Sequence, residues 1–126
     1  MNVEPANIEV LVQTEFLPEQ SSPEDNRFVF AYHIAITNYG HDSAQLLNRH
    51  WIITDGNQRI QEVQGEGVVG QQPLILPGET YTYSSGTIME TSVGSMHGYY
   101  EMIDARGKIF KAIIPPFTLA LPNHLH

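Results

Sequence analysis

The sequence contains no cysteine. That removes disulfides, thiolate-ligated zinc and thiol catalysis together. Charge is scarce, at 16% of residues, and bases are scarcer: six Lys and Arg against 14 Asp and Glu, for a formal net charge of −8. Sequence-independent nucleic-acid binding needs Lys and Arg to release phosphate counterions, so an acidic chain is not expected to coat DNA or RNA. No apolar run approaches the roughly 18 residues of a membrane span. The opening residues MNVEPANIEV lack the basic region and apolar stretch of a secretory signal. The expected location is therefore the cytoplasm, with no membrane partner. Helical periodicity is missing too: the nearest candidate, Gln45 to Ile53, is β-branched, carries the only tryptophan and lies between strand-like neighbours.

What the chain does have is 41% hydrophobic residues within 126, enough for one core, so residues 1–126 are read as one domain. The acidity is local. Met1 to Asn26 holds six carboxylates (Glu4, Glu9, Glu15, Glu19, Glu24, Asp25) and no base, whereas the rest holds eight acids and six bases. A small anion site in the body of the domain remains compatible with the net charge, and the N-terminal loop is a candidate surface for basic partners.

The apolar pattern has period two. In Arg27 to Asn38, Phe28, Phe30, Tyr32, Ile34 and Ile36 fall on one face, which predicts a central strand. Further strands are predicted around Ile8–Val12, Leu46–Ile53, Arg59–Gln64, Thr80–Ser84, Met96–Ile103 and Lys108–Ile114. Asp55-Gly56-Asn57 predicts a tight hairpin turn. Pro115-Pro116 is expected to break the last strand, with Phe117–Leu121 as a separate short one. The long polar loop is Pro18 to Asn26. About seven strands at regular spacing predict an all-β, two-sheet β-sandwich of fibronectin type III or immunoglobulin kind. A small barrel is the competing architecture.

The run GEGVVG places Gly65, Gly67 and Gly70 in a G-x-G-x-x-G pattern. In a dinucleotide-binding fold the pattern opens a helix whose N-terminus faces the pyrophosphate. Here QQPLILPG follows, with two prolines and no helical period, so that reading fails its own context. Two readings survive: an anion held by exposed backbone N–H groups of Gly65, Gly67 and Gly70, or glycines serving a bulge or sharp crossover. Glu66 counts against an anion unless Arg49 or Arg59 lies nearby.

Candidates for other chemistry are weak. His124 and His126 alternate at the C-terminus, but two ligands are fewer than a stable metal site needs. His33 and His97 fall in mid-strand, either facing one another across the sandwich or pointing outward. Ser95 and His97 share a strand face, yet no carboxylate is placed to orient the imidazole, and no G-x-S-x-G elbow exists. The tyrosines and phenylalanines read mainly as core, an exposed subset being suited to a partner's side chains. No catalytic set, metal or cofactor is expected.

Several long stretches carry a resemblance. SSPEDNRFVFAYHIAITN, QLLNRHWIITDGN, EVQGEGVVGQQPLILPGE, YTYSSG, GSMHGYYEM and IPPFTLALP, in this order, resemble the bacterial ApaG family. The resemblance implies a fibronectin type III-like sandwich. It places Gly65, Gly67 and Gly70 in a motif long compared with pyrophosphate-binding loops. The family name derives from a gene neighbourhood with dinucleoside tetraphosphate hydrolysis, and some members carry labels linking them to cobalt resistance and magnesium efflux. The domain also recurs in eukaryotic F-box proteins and a polymerase-delta-interacting protein. The functional expectation is therefore a non-catalytic domain that binds another protein through a strand edge, with a homodimer as a variant. The alternatives are phosphate, nucleotide or dinucleoside polyphosphate binding at Gly65–Gly70, and divalent-cation (cobalt or magnesium) handling.

Overall fold

A computed structural model describes residues 7–122 of the chain. Eight strands follow one another: β1 (Ile8–Phe16), β2 (Phe28–Asn38), β3 (Ala44–Asp55), β4 (Ile60–Glu66), β5 (Leu74–Ile75), β6 (Thr80–Met89), β7 (Val93–Asp104) and β8 (Ile109–Ala120). They build two antiparallel sheets. One has the order β1-β2-β6, the other β4-β3-β7-β8, and β5 adds to β3 beyond the end of β4. This is the two-sheet sandwich that the alternating pattern predicts. No helix among the described residues is long and apolar enough to cross a membrane.

Alternation decides what lies between the sheets. On β2, Phe28, Phe30, Tyr32, Ile34 and Ile36 are all buried, as their spacing requires. They meet Trp51, Ile53, Met96, Tyr100, Met102, Ile114 and Leu119 from the other sheet. Each fully buried side chain of this size contributes about 1.5–3 kcal/mol of transfer free energy. Val29 faces outward from β2 and is buried all the same. The polar loop folds over it in two short 3-10 turns, Pro18–Gln20 and Pro23–Asp25, with Leu17 N–H donating to the Val29 carbonyl and Val29 N–H donating to Ser21 Oγ.

One detail departs from the sequence expectation. Pro115-Pro116 does not break β8, which runs unbroken from Ile109 to Ala120. The pairing shifts from Met96↔Phe117 to Gly98↔Ile114, so the two prolines together oppose His97 in a bulge. β8 is an edge strand, where a missing N–H costs no ladder bond. The Asp55-Gly56-Asn57 segment closes the tight β3–β4 hairpin that it predicts. The loop has three residues: Asp55 N–H donates to the Arg59 carbonyl, and the left-handed residue is Gln58, at φ 67°. The β7–β8 hairpin repeats this geometry, with Gly107 in the left-handed position and Asp104 N–H donating to the Lys108 carbonyl. In both, the aspartate Oδ1 accepts two N–H bonds across the loop. The bonds from Lys108 and Arg106 N–H hold the Asp104 carboxyl below its ordinary pKa. Since the β7–β8 loop uses glycine where the β3–β4 loop uses glutamine, Gln58→Gly is expected to stabilise the protein by about 0.5–1 kcal/mol, read as a rise in Tm.

Candidate functional site

The sandwich is closed on one side and open on the other. β1 packs against β8, whereas the opposite edge strands, β6 and β4, stand apart. The side chains there explain the gap. β3 turns Arg49, Trp51 and Ile53 inward, and β4 opposes them with Gly65, Val63 and Gln61. β6 offers only Ser85 and Thr87 opposite Tyr32 and Phe30. Small residues on β6 and a glycine on β4 leave a cleft of about 730 Å³, floored by Phe30, Tyr32, Trp51 and Met96. It continues past Arg49 into a recess of about 360 Å³ walled by Tyr83, Val68 and Gly70.

Arg49 is the charge in this cleft. Its Nη1 donates to the carbonyls of Glu66 (3.1 Å) and Gly67 (2.9 Å). Among the described residues it makes no ion pair. Trp51, only 2% exposed, stands edge-to-face with Tyr32 and Phe117, at centroid distances of 5.4 and 5.9 Å. Among the described residues its indole N–H has no hydrogen-bond partner. Behind it, the Tyr83 and Tyr100 hydroxyls lie 2.5 Å apart. Burial, the largest influence on each, pushes both phenols far above their ordinary pKa, so the pair stays protonated and neutral.

The glycine run forms the end wall of the recess. Gly65 lies inside β4 opposite Arg49, and a Cβ there would stand 2.6 Å from the guanidinium carbon. The missing side chain gives Arg49 its path across the strand. Gly67 has φ +66°, its N–H donates to the Leu47 carbonyl, and a Cβ would meet the Gln71 carbonyl oxygen at 2.4 Å. Val68 and Gln71 exchange N–H···O bonds around a two-residue turn in which both Val69 (φ 48°) and Gly70 (φ +77°) are left-handed. A β-branched residue in that conformation is an uncommon local strain, of the kind found at binding loops. Among the described residues the N–H groups of Val69 and Gly70 have no hydrogen-bond partner. The run is thus not a crossover between sheets but a local turn between β4 and β5, which pair with the same edge of β3, and of the three glycine amides it leaves Gly70's unused beside Arg49.

A substitution series separates these roles. Gly67→Ala is expected to cost about 2–3 kcal/mol, from backbone overlap plus a disfavoured φ. Gly70→Ala is expected to cost about 1–2 kcal/mol, since only φ opposes it. Gly65→Ala meets the movable end of an arginine and is expected to cost about 1 kcal/mol, from the lost guanidinium–carbonyl bonds. Urea denaturation of the three variants checks the order.

The other predicted residues lie elsewhere. His33 and His97 point outward from different sheets and do not face each other. His33 Nδ1 is 2.7 Å from Ser84 Oγ, and its Nε2 is 3.3 Å from Glu15 Oε1. This Glu–His–Ser chain, invisible to sequence because it joins three strands, lies on a solvated sheet face with the Glu15 side chain 59% exposed, where water screens the charge. His50 stacks on Tyr99 and meets Glu62 at 3.0 Å on the opposite outer face. His124 and His126 fall outside the described residues, among which no group of three or more His, Asp or Glu is placed to hold a metal. Sequence reading missed the cleft itself. The available signal was Arg49, a charge in the inward phase of β3, two residues before Trp51.

Comparison with known proteins places these features in a family. The model of the ApaG domain matches residues 18–104. The chain is 60% identical to Protein ApaG of Pseudomonas paraeruginosa and 54% identical to Protein ApaG of Aromatoleum aromaticum, each over 119 residues and 94% of both chains. A crystal structure of an ApaA protein from Bordetella pertussis, 49% identical, superposes with a TM-score of 0.92 over 96% of this chain and 98% of that one. Another solved structure, 51% identical, gives a TM-score of 0.89 over 94% and 90%. Arg49, Gly65, Gly67 and Gly70 all lie within the matched span, and the chain belongs to the ApaG family.

Proposed function

We propose that this ApaG domain is a non-catalytic recognition module that binds another protein in the cleft between β4 and β6. The carrying observation is an opening about 730 Å³ in volume that lies between two strand edges with no further neighbour among the described residues. A free edge presents a row of N–H and C=O groups ready to pair with an added strand, and pockets beside it receive alternate side chains. Arg49 and the aromatic floor supply polarity and apolar area in one place, the composition of an interface core. Among the described residues no imidazole or carboxylate lines this cleft. A photo-crosslinking amino acid at Thr87, on the cleft wall, is expected to capture a defined protein in cells. The same group at Thr54, on the outer face of β3, should not. Equal capture patterns from the two positions would sink the proposal.

One observation favours a second reading, binding of a small phosphate-containing anion. Val69 and Gly70, whose N–H groups have no partner among the described residues, line the recess that Arg49 enters, with Glu66 the one acidic residue in the same lining. Pyrophosphate and diadenosine tetraphosphate titrated against labelled amides decide it: shifts confined to Val69, Gly70 and the Arg49 side chain support the reading, and none at millimolar ligand excludes it.

A further inference from the structure

We infer that the cleft selects an acidic extended segment, one that carries a large apolar side chain with a carboxylate two residues away. This rests on the recognition reading above and adds the chemistry of the partner. Along β3 the inward residues Arg49, Trp51 and Ile53 recur at every second position, about 6.8 Å apart. The deep part of the cleft, over Trp51 and Ile53, is walled by Phe30, Val63 and Met96 and takes an apolar side chain. One strand step away stands Arg49, in the channel between cleft and recess. A strand added along the β6 or β4 edge has the same period, so a side chain two positions from the apolar anchor reaches the guanidinium.

The charge at that end is uncompensated. Arg49 Nη1 is occupied by two neutral carbonyls, while Nη2 and Nε make no hydrogen bond within the described chain. Among the described residues no carboxylate lies within ion-pair distance of Arg49. The recess also counts the exposed Glu66 among its lining residues, but its carboxylate makes no ion pair with Arg49, and the Ser85 hydroxyl, the neutral Tyr83 phenol and the unpartnered N–H groups of Val69 and Gly70 add donors there. A site rich in donors, with one unpaired cation, is complementary to a carboxylate and not to an ammonium group. A lysine in the same place would face Arg49 directly.

The probe is a capped heptapeptide, threonine–glutamate–threonine–phenylalanine–threonine–glutamate–threonine, which presents a carboxylate two residues to either side of the anchor. Glutamine and lysine replace both glutamates in two companion peptides. Binding is read from the emission of Trp51, the only tryptophan. The glutamate peptide is expected to bind at least about tenfold tighter than the lysine peptide, the glutamine peptide falling between. In Arg49→Glu the order should reverse; in Arg49→Gln it should flatten. The wild-type series alone decides the matter if a variant fails to fold. Equal affinities for all three peptides, with binding still lost in Ser85→Phe, would overturn the acidic assignment and leave recognition in the cleft intact. Failure of all three to bind at millimolar concentration would overturn the extended-segment assignment, and crosslinking from Thr87 then tests the recognition reading independently.

Discussion

Gly98→Ala is expected to destabilise the domain by at least about 3 kcal/mol, the range in which overpacking against fixed backbone exceeds ordinary core substitutions. Gly98 on β7 sits opposite Trp51 on β3. A Cβ there would lie 1.9 Å from the His50 carbonyl oxygen and 3.2 Å from the Trp51 Cα. Neither atom can rotate away, as a side-chain terminus would, so β3 and β7 must separate. These strands form the centre of the larger sheet, and the separation falls beneath the floor of the cleft. The variant is therefore expected to lose stability in urea and to change the emission of Trp51 together. Gly94→Ala is the control: its nearest neighbour is the flexible Met89 methyl, although the Thr54 carbonyl stands at 2.7 Å, so the cost should be smaller.

Asn38→Leu is expected to cost about 3 kcal/mol, the order found when several buried polar groups lose their partners at once. Asn38 is fully buried. Its Nδ2 donates to the carbonyls of Asp42 (2.8 Å) and Ile75 (3.0 Å), and its Oδ1 accepts from Gly40 N–H at 2.9 Å. Leucine keeps much of the volume and orphans all three groups. One of them belongs to β5, the two-residue strand that anchors the chain after the glycine loop. Hydrogen exchange in the variant should therefore rise first across residues 67–76, before global unfolding is reached. A uniform rise across both sheets would show that Asn38 supports the core in general rather than this anchor.

The legible part of the fold is the part written in alternation. Strand β2 was readable because its inward residues are large and apolar at every second position. β5 was not, because two residues between Pro73 and Pro77 have no period to detect, and Asn38, which holds them, lies elsewhere in the chain. Pro115-Pro116 misled because proline ends a strand only where its N–H is needed, and edge position and bulge are properties of pairing. The Asp-Gly turn announces its hairpin correctly but not which residue is left-handed, because Gln58 takes the position that glycine usually fills.

The site shows the same division. The glycine run stood out, yet its task, making room for Arg49 and turning the chain along the β3 edge, depends on the β3–β4 register. The cleft has no signature of its own, because it is made by what Ser85, Thr87 and Gly65 fail to fill. The Glu15–His33–Ser84 chain was equally hidden, since its members meet only through the pairing of three strands.

Recognition between β4 and β6 is tested most directly by amide chemical-shift mapping of the labelled domain with the protein captured from Thr87. The largest changes are expected on residues 61–66 and 83–88, with the indole N–H of Trp51 and the side chain of Arg49. Changes confined instead to the outer face around His50, Tyr99 and Lys111, or around Leu11 and His33, would contradict it.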